Sequence, residues 1–268
     1  MLESIGKTNA DVEVWPLDLG SVASIKAIAK RANEELDRVD VLVENAGIFP
    51  DGWIATKDGW KSALQTNLIS GALLAVLFLP KFRETFKNFQ TQTNLVVVCS
   101  DLHSFAEFPE KSSVRILESL NDKTKSDSLG DRYHTTKLLE ILFYREFCSH
   151  IAGSGTGPIN PIVNIPTPGL NENAVWQGDA NAHISKALFK LFLFALARPV
   201  AMGARTLVSA SAAGEETHGS YLNDGSVTEP SPFVGSDQGA KVARKLFVEV
   251  MDVLDQYVPG CRSILKSD

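Results

Sequence analysis

A chain of 268 residues, 44% apolar and 22% charged, with 19 glycines and 12 prolines, has the make-up of an ordinary folded protein of one domain, or at most two, and not of a disordered tail. Its 26 basic against 32 acidic residues leave a formal charge of −6, so there is no broad positive field to hold a nucleic acid backbone. Cys99, Cys148 and Cys261 are an odd number, widely spaced, without C-x-x-C or histidine at ligand spacing; they suggest neither a disulfide framework nor a metal site, and they fit a reducing cytosol.

The opening MLESIGKTNADVEVW lacks the basic start and apolar stretch of a signal peptide, so a cytoplasmic location is expected. VEVWPLD predicts a first strand near 12–17, and a helical segment follows from Ser21, its N-cap, to Leu36. VDVLVENAG predicts a strand near 40–45, followed by a helical stretch through Leu79 that Pro80 closes. The apolar runs LISGALLAVLFLP and ALFKLFLFALARPV, at 68–80 and 187–200, are about a dozen residues long and fall short of the ~20 that span a bilayer. Buried core helices are expected, with no firm membrane span; Lys190 leaves a membrane-surface or subunit contact open for the second run, which Pro199 ends.

NLVVVCS predicts a strand at 94–100, followed by a polar segment at 110–132 of the length of a lid or binding insertion. A helical pattern then runs from Tyr133 to His150, its start marked by Asp131. PIVNIP predicts a strand at 161–166, and the Pro-, Gly- and Asn-bearing stretch 166–182 is a second functional loop. GSYLND predicts a last strand near 219–223. Near-continuous apolar strands alternating with helices predict an α/β fold with a doubly wound, wholly parallel sheet. Without repeats, low-complexity tracts or a visible boundary, residues 1–268 read as a single domain with substrate-loop insertions near 101–132 and 170–200.

Tyr133 and Lys137 stand four apart at a predicted helix start, which puts both side chains on one face. Y-x-x-x-K occurs on many helices by chance; order along the chain adds to it. Upstream lie a strand ending in Cys99-Ser100, another ending in Asn45-Ala46-Gly47, and Asn67 between them. Taken singly, Ser100 also reads as a strand-end cap and Asn67 as a mid-helix polar residue.

Together these pieces resemble the short-chain dehydrogenase/reductase family, in its fungal retinol-dehydrogenase-like branch, over essentially the whole chain. The matching residues are Asp18-Leu19, N-A-G at 45–47, Asn67, Ser100 with His103 behind it, Y-H-T-T-K at 133–137 and Pro168-Gly169 after PIVNI. LARPVAMGARTLVSA at 196–210 and GSYLNDG at 219–225 also look like the branch. The resemblance implies a Rossmann-like fold of strand order 3-2-1-4-5-6. It implies NADP as cofactor, with NAD the other candidate, and interconversion of a small lipophilic alcohol and a ketone or aldehyde, in secondary metabolism.

In the family's terms, the Tyr133 phenol exchanges the proton at the carbonyl oxygen, and Lys137 corrects a pKa of ~10 by favouring the phenolate. Ser100 hydrogen-bonds the same oxygen, and Asn67, at a bend in its helix, fixes a water linking Lys137 to solvent. The implied cofactor contacts are Asp18 and Leu19 near the adenine, Asn45, Ala46 and Gly47 along the adenosine ribose, and Tyr133 and Lys137 at the nicotinamide ribose. Ile165 to Gly169, with Pro168, would face the nicotinamide; Asn173 stands where the family has Thr or Ser.

The departure is at the front. The family opens on a Gly-rich T-G-x-x-x-G-x-G turn, whereas the glycines before Asn45 are isolated, at Gly6 and Gly20. The expectation is an N-terminally truncated family domain with weakened cofactor binding, because the phosphate-cradling backbone is missing. VEVWPLD is then expected to move over and pair with VDVLVEN, since a buried unpaired edge is costly. Two other readings stay open: a cofactor-independent acid/base enzyme (isomerase, dehydratase or cyclase) on Ser100, Tyr133 and Lys137, or a non-catalytic scaffold. A homodimer through the fold's helix-pair surface, no nucleic acid and no metal complete the expectations.

Overall fold

The structure, a computed structural model, describes residues 11–49, 52–124, 129–151, 158–172 and 197–266. The first helix, α1 (Val22–Glu35), starts where Ser21 caps it: the Ser21 side chain accepts from Ser24 N–H, and Ile25, Ala29 and Ala32 recur on its buried face. Strand β1 (Val41–Glu44) follows. A short helix α2 (Ser62–Leu64) passes through a π turn at Gln65–Ile69 into α3 (Ser70–Phe89). Strand β2 (Asn94–Val97) leads to α4 (Ile116–Asn121) and the long α5 (Leu129–Ile151). Then come β3 (Ile162–Thr167), α6 (Val200–Ser211), β4 (Ser220–Asn223), β5 (Ser226–Val227), α7 (Asp237–Tyr257) and α8 (Cys261–Ile264).

The strands lie in the order β1-β2-β3-β4-β5, and β1 to β4 pair in parallel. β2 and β3, buried throughout, form the centre. Alternate residues of β2 face opposite sides: Leu95 and Val97 join the large core beneath α1, α3, α5 and α7, while Val96 packs with Ala210 of α6 and Leu222. Helices therefore cover both faces, which is the doubly wound α/β architecture.

Several local expectations are corrected. Residues 12–17 form no strand and do not pair with β1: Val12 and Val14 are exposed, and Pro16 brings no N–H to a ladder. That segment runs beside α1 instead, where Arg31 stacks 4.0 Å over the Trp15 ring. Among the described residues β1 is accordingly the outer strand, with Val41 and Val43 exposed, so this edge does not carry the cost of a buried one. The sheet is also not wholly parallel. Asp224 and Gly225 both take positive φ (50° and 75°) and turn the chain back into β5, antiparallel to β4; the D-G pair at a hairpin tip is the signal for that turn.

Pro80 lies inside α3 and does not end it; the helix runs on to Gln90, which takes the left-handed conformation (φ 53°). Burial of Phe78, Leu79 and Phe82 around the proline offsets the lost hydrogen bond. The helical stretch Ser62–Phe89 is long and apolar enough to cross a membrane, but 78% of its apolar window is buried inside the fold, where it serves as core. Asp131 does not start α5, which begins at Leu129; its carboxylate accepts from Glu107 N–H at 2.8 Å and ties the preceding loop to the helix. Part of that segment packs onto the core. Ile116, Leu117 and Leu120 are core residues, and Glu110 is buried in an ion pair with Arg132 at 2.6 Å. The apolar run 187–196 and most of the expected second loop, including Asn173, lie outside the described residues.

Candidate active site

The carboxyl ends of adjacent parallel strands form the natural cleft of this architecture. Asn45, Ala46 and Gly47 leave β1 there and are exposed; Ser100 follows β2, and Pro168 and Gly169 follow β3. The first turns of α5 bring Tyr133 and Lys137 to the same place.

Ser100 has two engagements. Its side chain accepts from Leu102 N–H as the cap of a short 3-10 turn, and it stands close enough to Tyr133 to favour the ionised phenol. The cap and the site role therefore coexist. His103 braces Ser100 from behind: its Nε2 accepts from Ser231 N–H at 3.0 Å, which leaves Nδ1–H to donate to the Ser100 carbonyl at 2.8 Å. Burial holds the His103 pKa below the ordinary histidine value, so this neutral tautomer persists.

Tyr133 is half-buried, its ring 5.2 Å from that of Phe49. The Lys137 ammonium lies 6.0 Å from the Tyr133 ring centre. Burial raises the phenol's pKa; Lys137 lowers it, Glu140 and Cys99 raise it, and the nearby Ser100 hydroxyl lowers it. The balance is upward, so the lysine does not produce a phenolate near neutrality, and Tyr133 stands as a protonated donor.

Lys137 is 5% exposed and all three of its protons are taken, by Val98 O at 2.9 Å and by Glu140 Oε1 and Oε2 at 2.9 and 3.0 Å. Burial works against its charge, but the Glu140 carboxylate outweighs it and holds the pKa above the ordinary lysine value. Burial likewise lifts Glu140 to about 7 against the pull of Lys137. Glu140 carries no motif, yet a glutamate in the otherwise apolar run LLEILF, one turn beyond Lys137, is a readable sign of a buried partner.

Asn67 sits in the π turn, as expected for a bent helix. Its Nδ2 donates to Ile48 O at 3.0 Å and Thr136 Oγ1 at 2.9 Å, and its Oδ1 accepts from Ile48 N–H at 2.9 Å. Both amide protons are thus spent on holding the Ile48 main chain against α5. Ideal Cβ geometry at Gly47 places that atom 3.5 Å from both Asn67 Oδ1 and Lys137 Nζ, so any side chain longer than a methyl would press on the lysine.

The remaining expected cofactor residues divide. Leu19 lines a cavity of about 100 Å³ with Asn45, Ala46, Asn67, Lys137 and Glu140. Asp18 does not line it; its carboxylate accepts from Gly20 N–H at 2.8 Å and shapes the turn before α1. Ile165 is fully buried in β3, where its side chain joins the core. Gly169 takes φ 67° under the Arg198 guanidinium, which lies 2.7 Å from where a Cβ would be. No strand contact in the sequence announces that cover.

Across the cavity, Glu44 of β1 accepts from Tyr144 OH at 2.6 Å, an approach that only a glycine at 71 permits: a Cβ there would stand 2.8 Å from Glu44 Oε2. Burial raises Glu44 to about 8, against the opposing pull of the Tyr144 hydrogen bond. A carboxyl whose folded pKa exceeds the ordinary 4.5 contributes most stability below that value and loses it as pH rises toward about 8. Glu44→Gln should therefore gain about 1 kcal/mol at pH 8, discounted for the half-exposed position, and little near pH 4.5. Urea midpoints of both proteins at the two pH values check this; equal midpoint differences would contradict it.

A sheet covered by helices on both faces, with Ser100, a tyrosine and a lysine gathered at its strand ends, defines the class of the protein. The family profile described as short chain dehydrogenase matches residues 1–111. A short chain dehydrogenase/reductase of Cryptosporiopsis sp. is 34% identical over 259 residues, covering 94% of this chain and 76% of its own. A short-chain dehydrogenase of Penicillium roqueforti is 35% identical over 270 residues, covering 98% and 68%. The chain belongs to the short-chain dehydrogenase/reductase family. Among solved structures, an uncharacterized protein from Mycobacterium paratuberculosis matches with TM-score 0.61 at 23% identity, covering 91% of this chain and 76% of its own. NADPH-bound carbonyl reductase from chicken fatty liver matches with TM-score 0.52 at 20% identity, covering 80% and 75%; both show the shared fold.

Proposed function

We propose that the protein is a reductase that uses a nicotinamide cofactor, NADP in preference to NAD, to convert a lipophilic ketone or aldehyde into its alcohol. The observation that carries this is the gathering of Ser100, the protonated Tyr133 phenol and the Lys137 ammonium, 6.0 Å from the Tyr133 ring centre, at the strand ends. Aromatic neighbours support an apolar substrate: Phe49 lies against Tyr133, and exposed Phe105 has its ring 6.1 Å from His134. The NADP preference and a role in secondary metabolism follow from the likeness to the fungal branch.

The residues fit the reacting end of such a cofactor. Exposed Asn45 to Gly47 lie beside Lys137, and the glycine leaves room for a group against that lysine. A ribose hydroxyl at Lys137 would share a proton now given to Glu140 or Val98. When bound, the cofactor supplies the hydride. Ser100 and Tyr133 hold the carbonyl oxygen between two hydroxyls, and the Tyr133 proton passes to that oxygen as negative charge develops on it. Lys137 then stabilises the phenolate left behind, and Asn67 keeps the Ile48 main chain, and with it the β1 exit, in register with α5.

One feature favours a second reading, acid/base chemistry without a cofactor: the cavity beside Lys137 holds about 100 Å³, whereas drug-sized ligands take ~300 Å³ or more. One assay separates them. The purified protein is mixed with NADPH or NADH and a panel of apolar aldehydes and ketones, and reduced-nicotinamide absorbance is followed. Substrate-dependent consumption, faster with NADPH, is the expected result. No consumption with either cofactor across the panel would refute the reductase reading.

A further inference from the structure

Lys137 and Glu140 form a closed pair. The lysine is 5% exposed and the glutamate 2%, and both carboxylate oxygens of Glu140 accept from Nζ, at 2.9 and 3.0 Å. An i,i+3 pair on a helix surface would be a minor, solvent-screened contact. Here the same spacing is buried, at the centre of the site, and the lysine touched by Glu140 is the one that acts on Tyr133.

We propose that Glu140 is a positioning residue: by gripping the Lys137 ammonium with both oxygens it keeps that buried amine protonated, and through Lys137 it sets the acidity of the Tyr133 phenol. This deepens the reading of Tyr133 as the proton-transfer group and rests on it. A buried ammonium without a counter-charge gives up its proton. The groups that face Lys137 are Tyr133 on its own helix, Cys99 beyond β2, Glu44 on β1 across the cavity, Asn67 in the π turn and Glu140. Glu44 is engaged by Tyr144, and the Cys99 thiol donates to the Lys137 carbonyl at 3.4 Å, so Glu140 is the carboxylate in contact with the amine.

Two roles for Glu140 predict opposite signs. As a bare negative charge near the phenol, it would oppose the phenolate, and its removal would make Tyr133 more acidic. As the holder of the Lys137 proton, it sustains the one cation that favours the phenolate, and its removal would make Tyr133 less acidic.

The test is a phenolate absorbance titration of the full chain, with no cofactor or substrate, in which subtraction of the Tyr133→Phe protein isolates Tyr133 from the other tyrosines. Glu140→Gln should raise the Tyr133 midpoint by about one pH unit or more. The double variant Lys137→Met with Glu140→Gln should share that raised midpoint, because the lysine is already neutral in the single one. An unchanged or lowered midpoint in Glu140→Gln, or a single variant titrating below the double, overturns the proposal. Should Glu140→Gln not fold, Glu140→Asp replaces it: its shorter carboxylate should place the midpoint between wild type and double, and a wild-type value would overturn the proposal. Because turnover is not read, this result and the reductase assay fail independently.

Discussion

Tyr133→Phe should lower carbonyl reduction by about 10³-fold with the fold intact, the general acid being worth ~10² to 10⁴ in rate. The phenylalanine keeps the ring that packs against Phe49 and loses only the hydroxyl. A carbonyl oxygen gaining charge would then have Ser100 as its only hydroxyl partner of the two, and no proton would follow the hydride. The loss should therefore fall on kcat, with KM changed little, since the proton moves only in the transition state. Steady-state kinetics on the most active substrate of the panel measure it, with far-ultraviolet circular dichroism as the check on folding. A variant retaining a tenth or more of wild-type kcat would show that Tyr133 is not the acid.

The second large effect is on stability and lies away from the site. α4 begins at Ile116, and Arg115 before it supplies no side-chain cap, yet the first residues of the helix, Ile116 and Leu117, are buried. Glu249 of α7 supplies the cap from 133 residues away: Oε1 accepts from Ile116 N–H at 3.0 Å and Oε2 from Leu117 N–H at 2.9 Å. Glu249→Ala would leave both donors buried and unpaired, at ~1 to 3 kcal/mol each, so a loss of about 3 kcal/mol is expected. For a chain of this size that lowers the thermal midpoint by roughly 6 to 12 °C. Glu249→Gln, which keeps one acceptor oxygen, should lose about half as much. Denaturation curves of the three proteins test this ordering, and an alanine variant within 0.5 kcal/mol of wild type, the scale of an ordinary surface change, would contradict it.

Much of the architecture was legible along the chain because it depends on neighbours in sequence. The Ile25, Ala29 and Ala32 spacing marks α1, Ser21 marks its start, and the apolar runs at 41–44, 94–97 and 162–167 mark strands buried between helices. Tyr133 and Lys137 were legible together for the same reason: four residues on a helix return to one face whatever the rest of the fold does. The D-G turn into β5 was written locally too, and a search for parallel strands alone passes over it.

Other features had no local origin. V-E-V-W alternates like a strand, but a strand forms only where another strand meets it, and Trp15 found Arg31 of α1 instead. Pro80 ends helices by local rule, and the buried Phe78, Leu79 and Phe82 carried α3 past it. The acidity of Tyr133 was beyond reach for a deeper reason. The chain states that a lysine stands four residues from the tyrosine, but the effect of that charge depends on how much water surrounds it and on what else lies within a few ångströms. Burial raised the phenol's pKa more than Lys137 lowered it, and Glu140 took the lysine's remaining protons. Local periodicity can place such groups on one helix face; their proton affinities are set through space, by desolvation and by charges that only the packed fold brings together.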